Sequence, residues 1–217
     1  MPYSVEHNYS RPQVQMLFDY EGVTYLVMDT TSGKTLEAVT FWMEPTALQK
    51  TAQQLRKVVD ELQSLSLNFP SPCDNYYGQW PGESFAHRNR RFKLEDAVPN
   101  FRSLEDFHSY ILCSPSDKTL NTVLERELTE NDTRAVLTHG DLAPQNIMVD
   151  EVSGDILGII DWEMFGWYPA YWERMFIMIS CRFAQQRIEL QRAFDGALER
   201  HFVELAFKVL DLNPPLW

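Results

Sequence analysis

The run Leu137-Thr138-His139-Gly140-Asp141-Leu142-Ala143-Pro144-Gln145-Asn146, followed a little later by Ile159-Ile160-Asp161-Trp162-Glu163, constrains this chain more than any other feature. A single aspartate in a loop ordinarily forms a turn or caps a helix. Here an aspartate, an asparagine five positions on and a second aspartate after an apolar run occur together, which is the spacing of a phosphoryl-transfer centre. The residue types suit that chemistry. A carboxylate beside an attacking hydroxyl orients it and accepts its proton. A second carboxylate and an amide oxygen are hard ligands for magnesium. Asp141, Asp161 and His139 are therefore the candidate catalytic residues, and Asn146 and Asp161 the candidate metal ligands. His139 and Gly140 are expected to shape the tight turn that points Asp141 into a cleft.

The rest of the sequence suggests what surrounds these loops. Val14–Phe18 and Val23–Met28 read as paired strands about a turn at Asp19-Tyr20-Glu21-Gly22. Pro45 suits the first position of a helix, and Leu48, Ala52, Leu55, Val59 and Leu62 then recur on one face. Helices are also expected at 103–112 and 117–130, a strand at Ala135–Thr138, and mainly helix from Ala170 to about Leu210. Residues 68–100 mix prolines and glycines with aromatics, the composition of a loop that walls a site. Tyr76, Tyr77, Trp80, Trp162 and Phe165 are the residues expected to line a substrate pocket.

A formal net charge of -12 makes nucleic acid an improbable partner, and the one basic cluster, His87 to Lys93, is short. The three cysteines, Cys73, Cys113 and Cys181, are odd in number and widely spaced, so neither a disulfide framework nor a cysteine metal site is expected. The polar N-terminus and the lack of a long apolar run lead to the expectation of a cytoplasmic protein with no membrane partner.

The motifs LTHGDLAPQNIMVD and GIIDWEMFGWYPAYWE resemble the fungal branch of the aminoglycoside phosphotransferase and choline kinase-like family. The likeness extends from about Val14 to Trp172. It implies an α/β (α+β) fold: a kinase-like C-lobe, mainly helical, with short strands carrying the catalytic loops at 137–150 and 156–163. Residues 1–29 would be an arm and a remnant N-lobe hairpin, and 30–217 the C-lobe. By the same resemblance Asp141 matches the catalytic base, and Asn146 and Asp161 the magnesium ligands. Upstream the pattern departs from the family, because no glycine-rich phosphate loop is present and the first lysine is Lys34.

That departure leads to three expectations. The first is a small-molecule enzyme needing no cofactor, which carries out a cyclisation, isomerisation or related rearrangement on a bulky apolar metabolite in fungal specialised metabolism. The second is a phosphotransferase using magnesium and ATP, with the nucleotide site completed by a partner such as a homodimer subunit. The third is a non-catalytic binding protein.

Overall fold

The computed structural model describes residues 14–69, 76–79, 84–85, 98–111 and 128–194. Strands β1 (Val14–Tyr20) and β2 (Val23–Met28) form an antiparallel hairpin. Its turn is tighter than the sequence suggested. Asp19 and Tyr20 stay in the strand, and Glu21 and Gly22 make the turn with φ of 49° and 76°. Positive φ at both turn residues matches the twist of a two-stranded ribbon, and glycine adopts it without strain. In this register Met16, Phe18, Tyr20, Val23, Tyr25 and Val27 share one face. All six are exposed, with Phe18 stacked on Tyr25.

A short strand β3 (Lys34–Thr35) leads into helix α1 (Leu36–Val39), whose first turn is capped by the Thr35 hydroxyl. Helix α2 (Pro45–Leu65) begins at the expected proline. It buries Leu48, Ala52, Leu55 and Val59 as the periodicity requires, while Leu62 is only half-buried. Beyond it lie the two-residue strands β4 (Gly78–Gln79), β5 (Ser84–Phe85) and β6 (Val98–Pro99), then helix α3 (Leu104–Ile111). The expectation of helix up to residue 130 is corrected. Thr129 has extended backbone, and its side chain and that of Asp132 cap each other's N–H groups to start a separate helix α4 (Glu130–Thr133). Residues 117–127 lie outside the described residues.

Strand β7 (Ala135–Thr138) is followed by a 3-10 turn at Pro144–Asn146 and the hairpin of β8 (Ile147–Val149) with β9 (Ile156–Ile159). A second 3-10 turn (Trp162–Met164) leads to β10 (Gly166–Pro169), helix α5 (Trp172–Ser180) and helix α6 (Ala184–Ala193). Two three-stranded sheets result, β4-β10-β7 and β3-β8-β9. Helix α2 packs between them and α6. Its polar side chains tie down what it covers: the Thr51 hydroxyl donates to the Gly154 carbonyl at 2.8 Å, Gln63 to that of Ala170 at 2.8 Å, and Arg56 to that of Ala193 at 2.9 Å.

The core is aromatic. Tyr168, Trp172 and Phe176 stack in sequence, and Phe107 meets the first two edge-on. Tyr77 belongs to this core and not to a pocket wall. It is 1% exposed, packs on Phe107, and donates its hydroxyl to the Thr133 carbonyl at 2.7 Å. Burial raises its pKa above the usual phenol value.

The turn joining β8 to β9 is a point of close packing. Gly154 has φ of +71°, and a β-carbon there would meet the Ala47 carbonyl oxygen of α2 at 2.1 Å. Neither the backbone conformation nor the helix can yield cheaply. Gly154→Ala is therefore expected to destabilise the chain by about 2–4 kcal/mol, read as a lower urea midpoint at unchanged m-value.

Candidate active site

The site grows out of two antiparallel pairings. In the first, β7 lies against β10 with Thr138 opposite Gly166 and Leu137 opposite Trp167. This holds the start of the loop His139–Ala143 against the end of the chain segment that leads into α5. Gly140 makes the loop possible. Its φ is +86°, and a side chain would strike the Met164 carbonyl oxygen at 2.3 Å. In the second pairing, β8 and β9 oppose Ile147 to Ile159, so the residues just outside the ladder meet at the same end. The Ile160 N–H donates to the Asn146 carbonyl at 3.0 Å, which sets Asn146 beside the residue preceding Asp161.

The side chains close the arrangement. The Asn146 amide nitrogen donates to the Asp141 carbonyl at 2.9 Å and to the Asp141 carboxylate at 3.2 Å. The Asn146 amide oxygen is left as the atom that can serve a cation. Asp161 is exposed and sits at φ 66°, ψ 58°, the left-handed region that aspartate tolerates better than most residues. A non-glycine residue held there in a loop is a mark of functional sites. Among the described residues no three His, Cys, Asp or Glu side chains converge on one point. The donor set therefore fits a hard dication that keeps water and substrate phosphate oxygens as its remaining ligands, the habit of magnesium.

His139 is braced on both sides by backbone. Its Nε2 lies 3.0 Å from the Ile160 carbonyl, and its Nδ1 accepts the Asp141 N–H at 3.3 Å. The neutral ring with hydrogen on Nε2 satisfies both contacts. Burial pushes its pKa down to about 4, only partly offset by the bond to Ile160. The sequence offered His139 as an acid or base, whereas this geometry suits it to orienting the loop. The Trp162 ring lies over it at 4.6 Å, with Phe165 beyond at 5.9 Å from Trp162. Trp162 is 41% exposed, and its indole N–H donates to the Ile159 carbonyl. Tyr76 is half-buried, edge-on to Trp167, and its hydroxyl accepts from Asn100. Trp80 lies outside the described residues, as do Cys73, Cys113, the basic cluster and most of the segment expected to cover the site.

One residue of the site escaped the sequence reading. Glu173, in the first turn of α5, is fully buried and receives N–H groups from His139 (2.6 Å), Gly140 (3.2 Å) and Leu142 (3.2 Å). Burial raises its pKa to about 7, with those three donors pulling the other way. Its signal was a lone carboxylate near the start of a helix otherwise rich in large apolar residues. The adjacent Arg174 gave it the look of an ordinary surface pair.

The family described as phosphotransferase enzyme family matches residues 13–207. Among solved structures, the chain is similar to a thermostable mutant of aminoglycoside phosphotransferase APH(4)-Ia in complex with ADP and hygromycin B. The identity is 16% and the TM-score 0.59, over 94% of this chain and 68% of that one. It is also similar to APH(2")-IIia in a complex with GDP and kanamycin, with 16% identity and a TM-score of 0.54 over 92% and 67%. A third is APH(3'')-Id from Streptomyces rimosus with ADP and streptomycin, at 17% identity and a TM-score of 0.52 over 93% and 76%. At these identities the likeness is one of fold, and the chain spans about two thirds of the first two relatives' length. No curated protein sequence matches it significantly. Among the described residues no helix is long and apolar enough to cross a membrane.

The two buried histidines give a pH signature. His108, buried against the Tyr171 hydroxyl, is also pushed down to about 4. As pH falls from 6.5 towards 4 the unfolded chain takes up protons that the folded chain refuses, so both histidines lower stability over that window. Glu173 works in the opposite sense: its raised pKa lowers stability as pH rises from 4.5 to about 7. The two contributions partly cancel in the native chain. His108→Phe is therefore expected to shift the pH dependence of the urea midpoint, with a smaller loss between pH 6.5 and 4.5 than the native chain shows.

Proposed function

Because the chain belongs to the phosphotransferase enzyme family, we propose that it transfers a phosphoryl group from a nucleoside triphosphate to a hydroxyl of a small molecule. The observation that supports this reading most is the bond from Asn146 to the Asp141 carboxylate, made across the end of a hairpin whose other strand leads to Asp161. Asp141 orients the acceptor hydroxyl and takes its proton as the oxygen attacks. Asn146 steers that carboxylate through its amide nitrogen and offers its oxygen, with the Asp161 carboxylate, to magnesium. When bound, the metal neutralises charge on the nucleotide phosphates. Trp162 and Phe165 form an aromatic ledge beside the loop against which an acceptor can rest. Relatives of the same fold are known with ADP or GDP and with hygromycin B, kanamycin or streptomycin, which makes polyhydroxylated amines a first acceptor panel.

A second reading is favoured by one observation. Residues 1–33 contain no lysine, and Lys34 is committed to Glu151 at 2.7 Å on the surface of the β8–β9 turn. A lysine to grip nucleotide phosphates must then come from a partner, or the cleft serves chemistry without ATP. In the latter case Asp141 and Asp161 act as acid and base for a cyclisation or isomerisation of an apolar metabolite held against Trp162, Phe165 and Tyr76.

Two measurements separate the readings. Under the first, calorimetry detects magnesium-dependent ATP or GTP binding, and label from the γ-phosphate passes to a member of the acceptor panel. Asp141→Asn is then expected to lower the transfer rate at least about 100-fold. Neither nucleotide binding nor label transfer by the native chain, tested alone and with candidate partners, would reject the phosphotransferase reading in favour of the second.

A further inference from the structure

The loop His139–Ala143 has four consecutive N–H groups, and they point in two directions. Those of His139, Gly140 and Leu142 go to the Glu173 carboxylate, one oxygen taking the first two and the other oxygen the third. That of Asp141 turns the other way, onto Nδ1 of His139. Glu173 thus grips the residues on both sides of Asp141 and leaves Asp141 itself out of the grip. The neighbouring side chain completes the hold: the Trp172 indole N–H donates to the Gly140 carbonyl at 3.0 Å. The Asp141 side chain, on the opposite side from this anchor, is half-exposed, while Gly140, Leu142 and Ala143 are buried.

Resting on the phosphotransferase reading of this loop, we propose that Glu173 is the positioning residue for Asp141, setting the direction of its carboxylate through three backbone N–H groups rather than by touching substrate. Three convergent donors call for a group that only accepts, and an ionised carboxylate has two oxygens with no hydrogen to place among them. A buried carboxylate carries a desolvation cost that an apolar residue would avoid, so its presence here needs a directional role. Gln at this position would fill the same volume. It would also turn an NH2 group towards at least one of the three N–H donors and release that part of the loop.

The test is amide hydrogen exchange on the full chain, native and Glu173→Gln, followed in peptides covering 139–142 and, as reference, 45–65. In the variant the loop amides are expected to exchange about 10- to 100-fold faster while the reference stays unchanged. Transfer from magnesium-ATP should then fall through kcat, with KM for ATP within about twofold, because misdirection of Asp141 is felt in the transition state. Should Glu173→Gln not fold, Glu173→Asp, whose shorter reach also releases the loop, replaces it. Unchanged exchange at 139–142 in a folded variant would overturn the proposal, as would failure of both variants to fold, which would make Glu173 a folding residue only. If native chain and variant alike transfer no phosphate, it is the phosphotransferase reading that falls, and the exchange result still decides Glu173.

Discussion

A buried loop must find partners for its backbone N–H groups, and in this protein that requirement is met by one carboxylate. His139, Gly140 and Leu142 have no strand or helix to donate to, and water does not reach them. Glu173 takes all three. Nearly everything else about the site follows from getting that side chain under the loop. Strand β10 must pair with β7 in a register that places Gly166 opposite Thr138, and the chain must then turn at Ala170 and Tyr171 to start α5 with Trp172 and Glu173. The Ala170 and Tyr171 N–H groups donate to the Arg134 and Asp132 carbonyls, which fixes that turn. The stacked rings of Tyr168, Trp172 and Phe176 supply the apolar burial that offsets the cost of a charge beneath them.

The second half of the site is built more simply. A two-stranded ladder aligns its ends, so Asn146 and Asp161 become neighbours wherever β8 and β9 pair. Helix α2 secures that ladder from behind: the Thr51 and Gln54 side chains bond to Gly154, Asp155 and Ile156. His139 then joins the halves by bonding to Ile160 on one side and Asp141 on the other. A ring buried and bonded in this way is held neutral, which suits a brace better than a proton carrier.

The aromatic residues divide by depth. Trp162 and Phe165 lie beside the loop and are open to solvent or half so, and they can touch a ligand. Tyr77 was expected among them because it sits in a proline- and glycine-rich stretch. Its N–H and carbonyl instead pair with Phe101, which turns its ring into the core against Phe107. Composition could place an aromatic near a site but could not tell which side of the backbone it would occupy.

Sequence alone determined the elements whose signals are local. Proline at the start of α2 with apolar residues at helical spacing, the glycine in the hairpin turn, and the spacing of Asp141, Asn146 and Asp161 all reflect covalent geometry or chemistry acting over a few residues. The family likeness rested on the same local motifs, and the matching of residues 13–207 to the phosphotransferase enzyme family agrees with it. Tertiary structure decided what depends on distant partners. A carboxylate at position 173 becomes an anchor only because β10 and β7 pair. Histidine at 139 becomes a brace only because Ile160 arrives beside it. Tyr77 goes inward only because Phe101 bridges to it. In each case the side chain's chemistry was legible in the sequence, but its environment was not, because hydrogen bonding and burial are set by residues far away along the chain.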